Sequence, residues 1–342
     1  MLELTNLSNA DCDVEKVLEN DAGTIPAIVR EHGLDGIEFM ICGPWDRVMH
    51  THMLDGIEFM LCAPWDRTMF PADYIKGVHL LFWPCWLDFW RGKRAVLLSE
   101  FGSEENIRAY YGSLDVGDWV EAWKRNLRQA ARCHPHYVVF HVAHNRTSEM
   151  YTREFSASDE DVIRATAELV NQITSELPQG CRLLFENLWW RGLTFRQPHL
   201  AAMLLEQVDY PDTGFMLDTG HLMNTNFDLR NEADGAAYVQ KIYRELGALG
   251  QYVYGVHLHQ SISGSYTREM MRLHAGEHRP LTWGEAMDYV MHVDLHQPFR
   301  TDAALRILDA VQPEYLVHEF QHRSRGDLED KLRVQRGALN FL

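Results

Sequence analysis

Short apolar runs interleaved with polar positions recur along the chain, separated by longer stretches whose apolar residues return every three or four places. The first kind predicts β-strands and the second amphipathic helices. The strand segments are LELTNLS (2–8), DGIEFM (35–40, and again 55–60), GVHLLFW (77–83), YVVFHVA (137–143), RLLFENL (182–188), TGFMLDTG (213–220), YVYGVHLHQ (252–260) and EYLVHEF (314–320). Helical patterns lie between them at 158–177, 198–208, 233–250 and 302–312. Strands that alternate with helices pair in parallel through helical crossovers. Counting the doubled strand once leaves eight, the number that closes a (β/α)8 barrel.

The doubled strand belongs to a larger repeat. Leu34–Arg47 returns as Leu54–Arg67, with only Ile41/Leu61 and Gly43/Ala63 changed. The stretch between the copies is too short for a helical crossover, and a ninth strand would upset the strand number and shear of a closed barrel. A solenoid needs at least three units. The repeat therefore reads as a tandem duplication of the strand-2 segment, with one copy in the barrel. The second copy is the expected barrel strand, because it leaves the loop on the catalytic rim unchanged.

Composition narrows the classes. The 342 residues fit a single domain over 1–342 and are 46% hydrophobic and 24% charged, the balance of a soluble globule. No apolar run reaches the ~20 residues needed to cross a bilayer, and no basic-then-apolar leader is seen, so a cytoplasmic protein is expected. A net charge of −17 argues against nucleic acid as the main partner. Cys12, Cys42, Cys62, Cys85, Cys133 and Cys181 form no C-x-x-C pair and read as reduced thiols. The expected partner is a small-molecule substrate, and a homo-oligomer is compatible with the sequence.

Ionisable residues sit at the strand ends: His79, His141, Glu186, Asp218, His221, His257, His259 and Glu319. The C-terminal ends of barrel strands face one cavity, so these side chains converge. A lone histidine on a strand is commonly a satisfied core residue. Carboxylates inside apolar strands are costly unless compensated, and a divalent cation compensates several at once. An oxygen-rich set of two Glu, one Asp and one His suits Mn²⁺ or Mg²⁺ better than a closed Zn²⁺ site, with Co²⁺ a further option.

From ELTNLS through VHEF, the Glu, Asp-x-x-His, His and Glu at the ends of strands 5 to 8 resemble the xylose isomerase-like TIM-barrel superfamily, the sugar isomerases and epimerases together with type IV apurinic endonucleases. The resemblance implies metal ligands at Glu186, Asp218, His257 and Glu319. A His-Leu-x-Asp pattern selects His257 on strand 7 and a His-x-His pattern selects His259; Gln260 stands where the Asp is usual. It further implies a metal-dependent isomerase or epimerase of a small sugar, polyol or keto compound, with Glu186 and Glu319 as base and acid through an enediolate. His221, His259, His141 and His79 would then contact substrate, and the tryptophans of FWPCWLDFW and ENLWW would wall the site. The alternative is an endonuclease IV-like zinc phosphodiesterase with His79 and His141 completing further metal sites. That reading requires an Asp-x-His pair after strand 7, which RLHAGEH matches poorly because Arg272 stands in the Asp place. A third class is a barrel that has lost catalysis and only binds. A phosphorylated substrate would call for clustered arginines; Arg323 and Arg325 read as surface residues.

Overall fold

Eight parallel strands close into a barrel in chain order, seen in a computed structural model that describes residues 1–8, 15–40 and 71–340. They are β1 (Leu2–Ser8), β2 (Gly36–Met40), β3 (Ile75–His79), β4 (Tyr137–His141), β5 (Arg182–Glu186), β6 (Thr213–Asp218), β7 (Val253–Leu258) and β8 (Tyr315–His318). β8 pairs with β1 through Leu2↔Tyr315 to Thr5↔His318, which completes the ring. This is the expected (β/α)8 barrel.

Period-2 alternation divides each strand between two environments. Outward residues such as Ile37, Val78, Phe140, Phe185, Phe215 and Val256 are buried against the helices. Inward residues near the strand starts, Leu4, Tyr137, Val139, Leu184, Met216, Tyr315 and Val317, fill the barrel floor. The next inward positions on β2 to β6 are Glu38, His79, His141, Glu186 and Asp218, so the barrel turns polar towards its C-terminal mouth.

Helices follow most strands and start where their caps are. Ser158 forms a capping box with Asp161 ahead of Asp159–Ile173, Asn231 caps Glu232–Glu245, and Asp115 caps Val116–Ala131. The amphipathic patterns at 158–177, 198–208, 233–250 and 302–312 match Asp159–Ile173, Pro198–Gln207, Glu232–Glu245 and Ala303–Val311. No described helix is long and apolar enough to cross a membrane.

The duplication resolves against the expectation. The first copy supplies β2, paired with β1 from Leu4↔Gly36 to Ser8↔Met40. The reason is local. The helix Thr24–His32 ends at Gly33, whose φ of +61° is a conformation glycine adopts without strain. The next two residues hand the chain to the sheet: Leu34 N–H donates to Val29 O, and Asp35 exchanges hydrogen bonds with the Glu3 backbone. The second copy follows Thr51-His52-Met53, with no glycine to end a helix; it lies outside the described residues. Excising residues 41–60 would leave an uninterrupted GLDGIEFMLCAPWDRTMF. We expect that variant to fold, to keep its metal content and to gain up to ~1 kcal/mol from the shorter β2–β3 connection, read by thermal melting. Loss of a cooperative melt would show that the surplus unit is needed.

The long connection after β3 is pinned to the loop after β4 through Asp88. Its buried carboxylate accepts from Arg146 Nε (2.7 Å) and Nη2 (3.0 Å), with Lys93 Nζ at 3.3 Å and His144 Nε2 at 3.6 Å. Burial alone would push the Asp88 carboxyl up; the His144 ring and the Arg146 guanidinium override it and hold the group well below the usual carboxylate range. A depressed folded-state pKa adds stability above the unfolded value near ~4, lost as pH falls through the folded value. Asp88→Asn should cost about 2 kcal/mol at pH 7, after discounting for solvent around Arg146. The deficit should shrink below about pH 4; urea melts from pH 7 to 3 would show parallel curves if the pair contributed nothing.

Candidate active site

All eight strand-end residues singled out in the sequence meet at the C-terminal mouth, and Glu186 is their hub. Its Oε2 lies 2.8 Å from His79 Nε2 and 3.3 Å from His141 Nε2. Its Oε1 lies 3.1 Å from His221 Nδ1 and 3.3 Å from His257 Nδ1. The register explains the meeting, since His141 pairs with Glu186 across β4–β5 and Asp218 with His257 across β6–β7. Glu319, one residue past β8, brings Oε2 to 3.0 Å from His257 Nδ1. Asp218 Oδ1 caps the short turn of helix that follows β6 by accepting from His221 N–H (2.6 Å), while its Oδ2 faces His259 Nε2 at 2.9 Å.

The two strand-7 histidines separate by geometry. His257 Nδ1 points among Glu186, Asp218 and Glu319, whereas His259 faces Asp218 and stacks on His296 with ring centroids 4.0 Å apart.

Three residues absent from the sequence-level list complete the site. Asp294 Oδ2 lies 3.1 Å from His221 Nε2 and 2.6 Å from His296 Nε2. The Asp-x-His pair sought after strand 7 is therefore Asp294-Leu295-His296, and its apparent absence is corrected. His274 of RLHAGEH instead pairs with Glu277 and stacks on Tyr151. The spacing was present in VDLHQPF, but it follows the helix Trp283–Val293 in a turn, where strand-end reasoning does not look. Glu38 is the third residue. It is 1% exposed, with Oε1 2.9 Å from His257 Nε2 and Oε2 accepting from Tyr137 Oη at 2.7 Å. Tyr137 reaches it because β3 carries Gly77 at the crossing, where a Cβ would stand 2.2 Å from the phenol ring.

The tryptophan wall divides in two. Trp189 packs 5.1 Å from the His221 ring, and Phe82 lies 4.6 Å from His141 and 6.3 Å from Trp190. Trp83 and Trp86 turn away into an aromatic core around Trp119.

Electrostatically the mouth is a dense, interlocked set of acids and imidazoles. Burial would raise the Glu186 carboxyl, but His141 and His257 hold it well below its ordinary value. Asp218 goes the other way, raised by burial with Glu186 and Asp294 close by. His257 is raised well above its usual value, against burial, by Glu319, Glu38 and Glu186.

Whether a cation fits can be judged from donors without partners. Glu186 Oε1 and Glu319 Oε2 lie 3.3 and 3.0 Å from His257 Nδ1, all three atoms are buried, and none completes a hydrogen bond. A cation among them would satisfy all three at once. Side-chain donors close enough to share an ion form three groups: His79, His141 and Glu186; Glu186, Asp218, His257 and Glu319; and His221, His259, Asp294 and His296.

A sequence model for the family described as xylose isomerase-like TIM barrel matches residues 112–300, more than half of the chain. The chain belongs to this family. The match spans β4 to β7 and includes Asp294 and His296, whereas β1 to β3 and Glu319 join the site through the closed barrel. Two solved structures share the fold. One is a D-tagatose 3-epimerase-like protein (14% identity, TM-score 0.50, covering 100% of this chain and 98% of that one). The other is endonuclease IV from Thermus thermophilus (17% identity, TM-score 0.52, both chains covered in full).

Proposed function

We propose that the protein is a metal-dependent hydrolase of a phosphoester bond in a small molecule, with its ions held at the barrel mouth. The observation that carries this reading is the presence of three ligand groups, two of them sharing Glu186. Proton transfer in a sugar needs one oxygen-rich group; the two histidine-rich groups have no task in it and suit Zn²⁺ or a similar ion. Bound ions would lower the pKa of a water and offset charge on phosphoryl oxygens. Glu186, Asp218, His257 and Glu319 would hold one ion, His79 and His141 with Glu186 a second, and His221, Asp294 and His296 a third. Phe82, Trp189 and Trp190 would exclude bulk water from one side. The net charge of −17 favours a small substrate over a polynucleotide. The likeness to an endonuclease IV is in keeping with phosphoester chemistry.

The isomerase or epimerase reading keeps one observation of its own. The middle group alone offers three carboxylates and one imidazole, and His257 Nδ1 stands between Glu186 and Glu319. Elemental analysis of protein purified without added metal separates the two. Two or three ions per chain, with hydrolysis of a phosphoester panel, supports the hydrolase. One Mn or Mg per chain with turnover of ketoses supports the isomerase. No metal even after soaking would leave a binding barrel and sink both.

A further inference from the structure

His259, fully buried, is tied to the segment Asp218-Thr219-Gly220-His221 through both its backbone and its ring. Its N–H donates to Thr219 Oγ1 at 3.1 Å, and that hydroxyl donates back to His259 O at 2.6 Å. Its imidazole passes over Gly220, where a Cβ would stand 2.1 Å from Cε1 and 2.4 Å from Nδ1. Gly220 lies in the short helical turn Thr219–Met223 and has no left-handed φ, so what this glycine supplies is room for the ring. Beyond it, Nε2 reaches Asp218 Oδ2 at 2.9 Å, and Glu319 Oε2 is farther off at 3.9 Å.

Such an imidazole is either a metal ligand or the support of one. His259 belongs to the group with His221, Asp294 and His296, whose donors lie within 4.8 Å of one another. Its plane, though, is only 7° from that of His296, with ring centroids 4.0 Å apart. An imidazole binds a cation through a lone pair in its ring plane, and two rings stacked face to face do not aim theirs at one point. The support role meets no such obstacle. Asp218 Oδ1 accepts from His221 N–H at 2.6 Å. With Nε2–H on Oδ2, each carboxylate oxygen takes one hydrogen bond and keeps a second lone pair for a cation. Burial and the His296 imidazole hold His259 well below its usual pKa. A neutral donor orients the carboxylate and leaves its negative charge to the metal.

We propose that His259 is a positioning residue, holding Asp218 through Oδ2 in the orientation from which that carboxylate binds its cation, in space that Gly220 leaves open. Hydrogen bonds of this kind to a ligating carboxylate govern metal affinity. The proposal rests on Asp218 being a metal ligand, which the hydrolase and the isomerase readings share.

The full chain, stripped with chelator, is titrated with Co²⁺ in competition with a chromogenic chelator while the visible absorption of the bound ion is recorded. His259→Phe keeps a ring to stack on His296 but has no donor for Asp218. His259→Gln gives up the ring and keeps an N–H at the reach of Nε2. We expect His259→Phe to hold one Co²⁺ per chain about 10–100-fold more weakly, with a shifted absorption band. His259→Gln should stay within a few-fold of the parent and keep its spectrum. Should His259→Phe fail to fold, His259→Leu, equally without a donor, takes its place. Unchanged Co²⁺ affinity in the folded donorless variant overturns the proposal. Equal losses in His259→Phe and His259→Gln overturn it too, because an amide N–H rescues neither a lost ligand nor a lost ring. A parent that takes up a single ion sinks the hydrolase reading, while the contrast between the two variants on that ion still upholds the support role. A parent that takes up none sinks both.

Discussion

Glu186→Gln is expected to strip the protein of most of its metal, with the affinity of the remaining ions down more than about 100-fold, beyond the loss usual for an outer-shell partner. The side chain is 0% exposed and faces four imidazoles, His79 and His141 through one oxygen and His221 and His257 through the other. Glutamine keeps the volume but removes the charge and puts an NH₂ where an acceptor stood. Two of the three ligand groups contain this residue, so both lose a donor. The metal-free proteins supply the second readout. Without ions, the imidazoles that hold the Glu186 carboxyl well below its ordinary value make its charge stabilising, so its neutralisation should lower the melting temperature in chelator too, and by more where metal is present. Elemental analysis and melts with and without chelator check both halves. A melting temperature lowered equally with metal and with chelator would mean that Glu186 serves the fold through its histidine contacts, not a cation.

Much of this architecture can be read from the chain because a barrel strand carries its own instructions. Alternation in RLLFE and TGFMLD tells which side chains face inward, and an acid at the last inward position must open on the mouth. That logic reaches Glu186, Asp218, His257 and Glu319, and Glu38 obeys it equally. It stops at the strand end. Asp294 and His296 come from a turn beyond a helix, and what brings them to His221 is the packing of Trp283–Val293 over the mouth. The tryptophans show the limit from the other side: Trp83 and Trp189 each follow a strand, but one turns to the helix layer and the other to the mouth, and composition alone does not distinguish them. The choice between the two copies of the repeat is decided by a residue outside the repeat, Gly33, which ends one helix and leaves the chain no distance to travel before pairing with β1.

Glu38 lies inside the repeat, so the chain carries its own control at Glu58 in the same local sequence. Glu38→Gln is expected to weaken metal binding 10–100-fold while Glu58→Gln leaves it unchanged, both measured by competition with a chromogenic chelator. A histidine that offers Nδ1 to a cation responds to what its other nitrogen faces, and His257 Nε2 faces the Glu38 Oε1 charge at 2.9 Å, outside hydrogen-bond geometry. The Tyr137 hydroxyl, donating to Oε2 at 2.7 Å, in turn fixes the carboxylate. Glutamine at position 38 fills the same space but loses the charge that favours a basic, well-oriented imidazole. Tyr137→Phe, which removes one hydrogen bond and keeps the charge, should cost only a few-fold. The opposite result, a loss in Glu58→Gln with Glu38→Gln unaffected, would mean that the second copy is the one paired between β1 and β3 in solution. Equal losses in both would mean that the two copies exchange in the barrel, and that each molecule's His257 is positioned by whichever glutamate its strand happens to bring.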